Sequence, residues 1–152
     1  MENEKYEQLE QKIWPCSQSL THLPLPIYAD KISAGFPSPA EGYLDKSLDL
    51  NELLIKNPPA TFFVRVSGDS MIGIGIHPGD LLVVDRSQEP GDGKIIIAVL
   101  EGELTVKRMR ILKNKQIQLE AENSAYSAIK ITPERAFQVW GVVTGVVRNV
   151  VK

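Results

Sequence analysis

Hydrophobic side chains after residue 60 form short runs that are separated by turn-forming residues. The runs are rich in Val, Ile, Leu and aromatic residues, which is typical of β-strands in a compact antiparallel domain. The predicted strands are 61–66, 81–85, 94–100, 103–111, 116–121 and 138–151. Glu101-Gly102 predicts a tight hairpin between two of them. The pattern therefore predicts a mostly β fold.

One short helix is predicted before the first of these strands. Asp49 and Glu52 have the spacing of a capping box, and Leu53 and Leu54 continue the pattern on the helix itself. Pro58 ends the helix, because a proline disfavours helical geometry in the residue before it.

Residues 1–42 lack a sustained hydrophobic period. Prolines interrupt them at Pro15, Pro24, Pro26, Pro37 and Pro39. Tyr6, Leu9 and Ile13 have near-helical spacing, so a short amphipathic helix and a flexible tail are both compatible with the start of the chain. The segment is too broken for a helix-turn-helix domain with its own core, and we expect a flexible N-terminal arm.

Composition and charge narrow the class of partner. The 152 residues are 43% hydrophobic and 24% charged, the usual mix of a globular protein, with a formal net charge of −2. Residues 1–34 hold three Lys and Arg against five Asp and Glu, whereas the remainder holds fourteen of each. An electroneutral body favours protein partners and predicts no direct sequence-specific nucleic-acid binding.

The cellular location is predicted from three negative signals. The first twelve residues are polar and acidic, so no secretory signal is expected. The longest apolar run, Ile95–Leu100, is far shorter than the roughly 20 residues that span a bilayer. Cys16 is the single cysteine and cannot form an intrachain disulfide, which indicates a reducing compartment. We expect a cytoplasmic protein without membrane partners.

Ser70 is the first candidate for chemistry. It lies in Ser67-Gly-Asp-Ser-Met71, directly after the predicted strand 61–66, and Gly68 permits a sharp turn before it. Backbone N–H groups that follow such a turn can converge on one point and stabilise an oxyanion. The Gly-x-Ser-x-Gly elbow of many hydrolases is absent, because position 72 is isoleucine. On local sequence alone, a turn or helix-capping serine is the alternative interpretation.

A nucleophilic serine needs a base, and Lys107 is the best candidate. Alternation along its predicted strand puts Lys107 on the same face as Met109 and Ile111. Apolar surroundings would lower the lysine pKa and leave a neutral amine that can accept the proton of Ser70. A lysine that extends into solvent is the alternative.

Other candidate groups are weaker. His22 lies in the proline-rich segment and His77 precedes a proline in a turn, so both are expected at the surface. Asp69, Asp80 and Asp85 lie near turns or strand ends without a His or Cys partner pattern. No metal site and no cofactor is therefore expected.

Five ordered blocks of the sequence resemble one known family. The blocks are 34–40, 63–71, 79–85, 102–108 and 123–127, and the similarity extends from about Ile32 to the C-terminus. They resemble UmuD, the SOS mutagenesis proteins related to the self-cleaving LexA repressors. The resemblance implies a LexA/UmuD-like antiparallel β domain that acts as a serine peptidase. It also implies Ser70 as nucleophile, Lys107 as general base, and the N–H groups of Ser70 and Met71 as oxyanion donors.

The resemblance further implies self-cleavage at a bond between a small residue and glycine, which Ala34-Gly35 matches. Cleavage there would remove an arm, residues 1–34, from a peptidase and dimerisation domain, residues 35–152. The family pattern implies a homodimer whose cleavage is stimulated by the RecA–single-stranded DNA filament. The cleaved form would be an accessory subunit of a UmuC-type error-prone lesion-bypass polymerase.

Three alternatives stay open. A non-catalytic polymerase-accessory or regulatory subunit would keep the fold without cutting. The sensor domain of a LexA-like repressor is disfavoured, because the sequence shows no basic, DNA-reading N-terminal domain. A membrane-bound signal peptidase uses a related dyad, and the missing membrane anchor makes it the weakest of the three.

Overall fold

The computed structural model describes residues 13–17, 19–28, 34–35 and 44–151. Within them, strands account for most of the regular structure, and the single α-helix, α1, spans Leu50–Leu54. The strands are β1 Ile13–Pro15, β2 Pro24–Tyr28, β3 Leu44–Asp49, β4 Thr61–Arg65, β5 Leu81–Asp85, β6 Ile95–Leu100, β7 Glu103–Ile111, β8 Ile117–Glu120, β9 Ile129–Lys130 and β10 Phe137–Val147. The predicted mostly β fold with one short helix is confirmed.

Eight of these strands form one antiparallel sheet in the order β1-β4-β5-β10-β6-β7-β8-β9. The last strand, β10, lies in the middle of it. Val142 of β10 pairs with Asp85 of β5 on one side and with Ile96 of β6 on the other. The sheet therefore has two halves that β10 joins. One half contains β4, which leads into the loop that follows it, and the other half contains β7.

The core has two clusters on opposite faces of the sheet. Consecutive residues of β6 alternate between them, since Ile97 belongs to one cluster and Ile96 to the other. The first cluster comprises Phe62, Val66, Met71, Ile76, Leu82, Val84 and Ile97. The second comprises Ile96, Ala98, Met109, Leu119 and Val142. Burial on both faces explains why β6 is a continuous apolar run.

The predicted helix cap is confirmed. Asp49 precedes α1 with an extended backbone, and its buried carboxylate accepts hydrogen bonds from the N–H groups of Asn51 and Glu52. These groups have no partner within the helix, so the side chain stabilises its first turn.

Part of the arm is attached to the domain. Ile13–Pro15 forms β1, which pairs with β4, and Cys16 is buried with its Sγ donating to the Pro58 carbonyl at 3.0 Å. The Arg65 guanidinium lies 5.8 Å from the ring centroid of Trp14. Ile13 thus lies in a strand, whereas Tyr6 and Leu9, which suggested a helix with it, lie outside the described residues.

A second sheet pairs β2, which belongs to the arm, with β3, which directly precedes α1. The Leu23 N–H donates to Asp49 Oδ2 at 2.7 Å, so the residue that caps α1 also holds the chain next to β2. No helix in the described part of the chain reaches the length and hydrophobicity needed to cross a membrane.

Candidate active site

The loop after β4 presents Ser70. Its base is closed by two hydrogen bonds of 2.8 Å, from the Val66 N–H to the Asp80 carbonyl and from the Gly79 N–H to the Val66 carbonyl. Gly68 has a φ of +82°, a left-handed conformation that lets the chain turn sharply ahead of the serine. Met71 is buried in the first core cluster, so the residue after Ser70 anchors the loop to the sheet.

Lys107 of β7 reaches the same point. Its Nζ donates a hydrogen bond to Ser70 Oγ at 3.0 Å and another to the Val106 carbonyl at 3.1 Å. The side chain is half-buried, and this burial lowers the pKa of Lys107 below its ordinary value. Of the two residues predicted on the same face, Met109 is buried, whereas Ile111 is exposed at the end of the strand.

A cleft of about 180 Å³ opens beside the two side chains. Its wall combines apolar side chains with polar ones, and Ser70 and Lys107 are among the polar members. The lining residues are Val64, Arg65, Val66, Ser67, Ser70, Leu82, Ile97, Leu104, Thr105, Val106 and Lys107. A hydroxyl and an amine with a lowered pKa, in contact at the wall of a cleft, are the groups that a serine–lysine acyl transfer requires.

Residues 26–144 match the profile of the family described as peptidase S24-like. The chain belongs to the peptidase S24-like family. The relationship to UmuD and LexA that the five sequence blocks predicted is thereby confirmed. The family includes self-cleaving serine peptidases, and its members related to this chain support a function of the SOS mutagenesis type.

Individual S24-like relatives cover most of the chain. The protein SamA of Salmonella typhimurium is 46% identical over 124 residues, which are 82% of this chain and 85% of SamA. The protein MucA of Escherichia coli is 45% identical over 121 residues, 79% of this chain and 82% of MucA. The LexA repressor of Proteus mirabilis is 40% identical over 120 residues, 78% of this chain but only 58% of the repressor.

In this S24-like chain, the segment after β8 supports the serine loop. The Glu122 N–H donates to the Ser70 carbonyl at 2.8 Å, and the Gly73 N–H donates to the Glu122 carbonyl at 2.7 Å. The Glu122 carboxylate accepts from Arg108 Nε, which links the segment to the residue after Lys107. Sequence reasoning did not identify Glu122, because its partners are distant in the chain.

Two further side chains of the same segment hold the residue before the serine. Asn123 Nδ2 donates to the Asp69 carbonyl at 3.0 Å, and the Tyr126 hydroxyl donates to Asp69 Oδ1 at 2.5 Å. This hydrogen bond and the charge of Asp69 raise the pKa of Tyr126. In the sequence, residues 123–127 belong to one of the blocks that resemble UmuD, and their one local signal is a polar, turn-forming composition after a strand.

The predicted cleavage residues, Ala34 and Gly35, form an exposed bend. The adjoining residues, 29–33 and 36–43, lie outside the described part of the chain. Cleavage of the bond between Ala34 and Gly35 therefore stays a prediction, as do the catalytic roles of Ser70 and Lys107.

The two histidines do not line the cleft that contains Ser70. His22 Nδ1 lies 2.9 Å from Asp49 Oδ2 and 3.5 Å from Glu52 Oε1, so these three residues bring potential metal ligands within 4.8 Å of one another. The Asp49 oxygens already accept N–H groups of Leu23 and Asn51. The cluster is therefore explained as an anchor between the arm and α1.

His77 belongs to a network around Asp80 at the base of the serine loop. Asp80 is buried, and its carboxylate accepts from Arg148 Nε at 2.6 Å, from Arg148 Nη2 at 2.5 Å and from the His77 N–H at 2.8 Å. The Arg148 hydrogen bonds, more than any other contact, lower the pKa of Asp80 from 3.8 to about 2. The network ties the end of β10 to the loop that carries Ser70.

Proposed function

We propose that this S24-like protein is an SOS-response peptidase that cuts its own Ala34–Gly35 bond. Ser70 is the nucleophile, and Lys107 is the general base. The observation that supports this proposal most directly is the 3.0 Å contact between Lys107 Nζ and Ser70 Oγ, in a half-buried position beside a cleft. The same two atoms exchange donor and acceptor roles when the amine is neutral, and burial favours the neutral amine.

The first step forms an acyl-enzyme. Neutral Lys107 Nζ takes the proton of Ser70 Oγ while Oγ forms a bond to the Ala34 carbonyl carbon. The carbonyl electron pair moves to oxygen, and the resulting oxyanion accepts hydrogen bonds from the N–H groups of Ser70 and Met71. When the C=O bond re-forms, the C–N bond breaks and Lys107 gives its proton to the Gly35 nitrogen.

The second step releases the arm. Ala34 is now an ester on Ser70 Oγ, and Lys107 is again a neutral amine. The amine takes a proton from a water molecule, whose oxygen attacks the ester carbon. Collapse of this second oxyanion breaks the C–Oγ bond while Lys107 returns its proton to Oγ. Ala34 is left with a carboxylic acid, which loses its proton to solvent. No metal or organic cofactor takes part in these steps.

We also propose the biological setting that the UmuD resemblance implies. The protein is a cytoplasmic homodimer, and the RecA–single-stranded DNA filament stimulates its cleavage. The product, residues 35–152, is an accessory subunit of a UmuC-type lesion-bypass polymerase. The relatives SamA and MucA support this setting, since they match the chain over most of their length.

Intact mass spectrometry tests the peptidase proposal. The purified full-length protein is incubated at neutral and alkaline pH, with and without activated RecA filament, beside the Ser70→Ala variant. We expect fragments 1–34 and 35–152 from the wild type alone, and N-terminal sequencing of the larger fragment should begin Gly-Phe-Pro-Ser. A wild-type protein that stays intact, or a Ser70→Ala protein that is cut equally well, would identify a non-catalytic subunit instead.

A further inference from the structure

Two consecutive carbonyl oxygens next to the nucleophile are held by one short segment. The Asp69 carbonyl accepts from Asn123 Nδ2 at 3.0 Å, and the Ser70 carbonyl accepts from the Glu122 N–H at 2.8 Å. The Asp69 carbonyl also accepts from the Ile72 N–H of the serine loop, at the longer distance of 3.3 Å. Glu122 and Asn123 are themselves neighbours in sequence, so the two peptide groups on either side of Ser70 are anchored to the same place.

Planarity transmits this anchoring to the backbone N–H groups. The described part of the chain contains no cis peptide bond, and in a trans peptide group the N–H points away from the C=O. The Asp69 carbonyl shares its peptide group with the Ser70 N–H, and the Ser70 carbonyl shares its own with the Met71 N–H. Both N–H groups therefore point away from the segment that holds the carbonyls.

The cleft and that segment are separate. Ser70 and Lys107 line the cleft, and no residue of 121–126 does. A different groove is lined by residues 121–124, Tyr126 and the two residues after Met71, and it contains neither Ser70 nor Lys107. Carbonyls that are held by the segment direct the N–H groups of Ser70 and Met71 away from it, and the proposed mechanism needs these N–H groups where the scissile carbonyl binds.

The segment is itself fixed relative to Lys107. Its first part continues β8, which pairs with β7 from Arg108 onward, and Arg108 Nε donates to the Glu122 carboxylate. At its other end, the Tyr126 hydroxyl donates to the Asp69 carboxylate. The strand that carries the proposed base thus also sets the position of the group that orients the proposed oxyanion donors.

We propose that Asn123 is a positioning residue of the peptidase, because its side-chain amide, with the shorter of the two hydrogen bonds to the Asp69 carbonyl, holds the peptide plane that aims the Ser70 N–H at the developing oxyanion. This inference rests on the proposed self-cleavage. It assigns to Asn123 an effect on the rate of the chemical step that is separate from any effect on stability.

Asn123→Asp is the variant that isolates the amide donor. Asn123 Oδ1 also accepts from the Ala125 N–H at 3.0 Å, and an aspartate keeps this turn while it loses the N–H that reaches the Asp69 carbonyl. The matched control is Ser124→Asp, which adds the same charge at the adjacent exposed position and leaves the amide in place.

The measurement is the self-cleavage rate of the full chain as a function of pH, beside thermal unfolding of each variant. For Asn123→Asp we expect the plateau rate to fall about ten- to a hundredfold, since loss of a whole oxyanion donor costs on the order of 10²–10³ in rate. The pH at half-maximal rate should match that of Ser124→Asp, because any shift common to both reports the added charge. The ¹H–¹⁵N resonances of Ser70 and Met71 should move only in Asn123→Asp.

Several outcomes would overturn the inference. It fails if the Asn123→Asp plateau stays within about threefold of the wild type, or if Ser124→Asp loses as much. If Asn123→Asp does not fold, the plateau rate of Asn123→Ser is measured and judged by the same threefold limit. The shorter, neutral serine side chain keeps an acceptor for the turn but does not reach the Asp69 carbonyl. A wild-type protein that does not cleave overturns the proposed function and this inference with it, whereas a cleaving wild type with an unaffected Asn123→Asp overturns only the inference.

Discussion

Lys107 carries a pKa that burial has lowered, and this makes the proposed reaction pH-dependent. Deprotonation supplies the base, so the cleavage rate should rise with pH and reach half its maximum below the ordinary lysine pKa of 10.5. Lys107→Ala should lose on the order of 10²–10⁴ in rate, and Lys107→Arg should not restore it because guanidinium stays protonated. The check is a pH–rate profile from intact mass, and a rate that is equal at neutral and alkaline pH would contradict the role.

The contact between Asp80 and Arg148 at the base of the serine loop should be sensitive to acid. The pKa of Asp80 is lowered to about 2 in the folded protein, so its stabilising effect is present above 3.8 and is lost as the pH falls toward 2. Asp80→Asn should therefore unfold at a lower temperature than the wild type at neutral pH, and the difference should shrink between about pH 4 and pH 2. Thermal unfolding of both proteins across this range measures the difference, and a constant gap would show that Asp80 acts without its charge.

At the scale of residues, the sequence predicted that Ser70 and Lys107 are candidate partners. It did not predict the residues that hold the serine loop in place. Alternation along β7 correctly placed Lys107 on the face of Met109, and the turn after β4 singled out Ser70. The Glu122 contact with Ser70 and the Asn123 contact with Asp69 each join residues more than fifty positions apart. No local period encodes such a pairing, so a polar turn after a strand could not be distinguished from an ordinary loop.

At the scale of elements, the serine loop and the segment after β8 lie close together. The lack of a side chain at Gly73 makes this close approach possible. A Cβ at this position would lie 2.4 Å from the Glu122 carbonyl oxygen, so Gly73→Ala has to separate the serine loop from the segment after β8. We expect a loss of roughly 1–3 kcal/mol in stability, as for other overpacked sites, together with slower self-cleavage. Chemical denaturation compares it with Gly91→Ala, a control with open space around the added methyl group. Equal stability of the two variants would contradict the close approach.

Strands with a strong hydrophobic pattern were predicted within a few residues of their observed ends. β5 and β7 match the prediction at both ends, whereas β10 stops at Val147 instead of residue 151. β1, β2, β3 and β9 were missed for physical reasons. β1 and β9 have only three and two residues, and β2 contains two prolines that cannot donate to a ladder. β3 has only two apolar residues, Leu44 and Leu48. Their pairing depends on partners elsewhere in the chain.

At the scale of the whole molecule, residues 35–152 should fold without the arm. All buried members of the two core clusters lie between Phe62 and Val142, although Ile13 packs against the first cluster. We expect the fragment to unfold cooperatively at a somewhat lower temperature than full-length Ser70→Ala, because β1 and the Cys16 contact are lost. Loss of β1 also uncovers the edge of β4, so the fragment should bind the cognate polymerase more strongly. Calorimetry and a binding titration test both expectations, and a molten fragment or equal binding would contradict the proposed switch.

The central position of β10 predicts when the proposed cleavage can first occur during synthesis of the chain. A ribosome makes this strand after all the others, yet it separates the sheet half that leads to Ser70 from the half that contains Lys107. A nascent chain that ends before residue 137 has no strand to join them, and we expect it to keep its arm however long translation pauses. Release of stalled chains, followed by mass analysis, would reveal premature cutting if this order were wrong. The proposed cleavage should therefore begin only after synthesis has delivered β10, which would protect the arm of an unfinished chain.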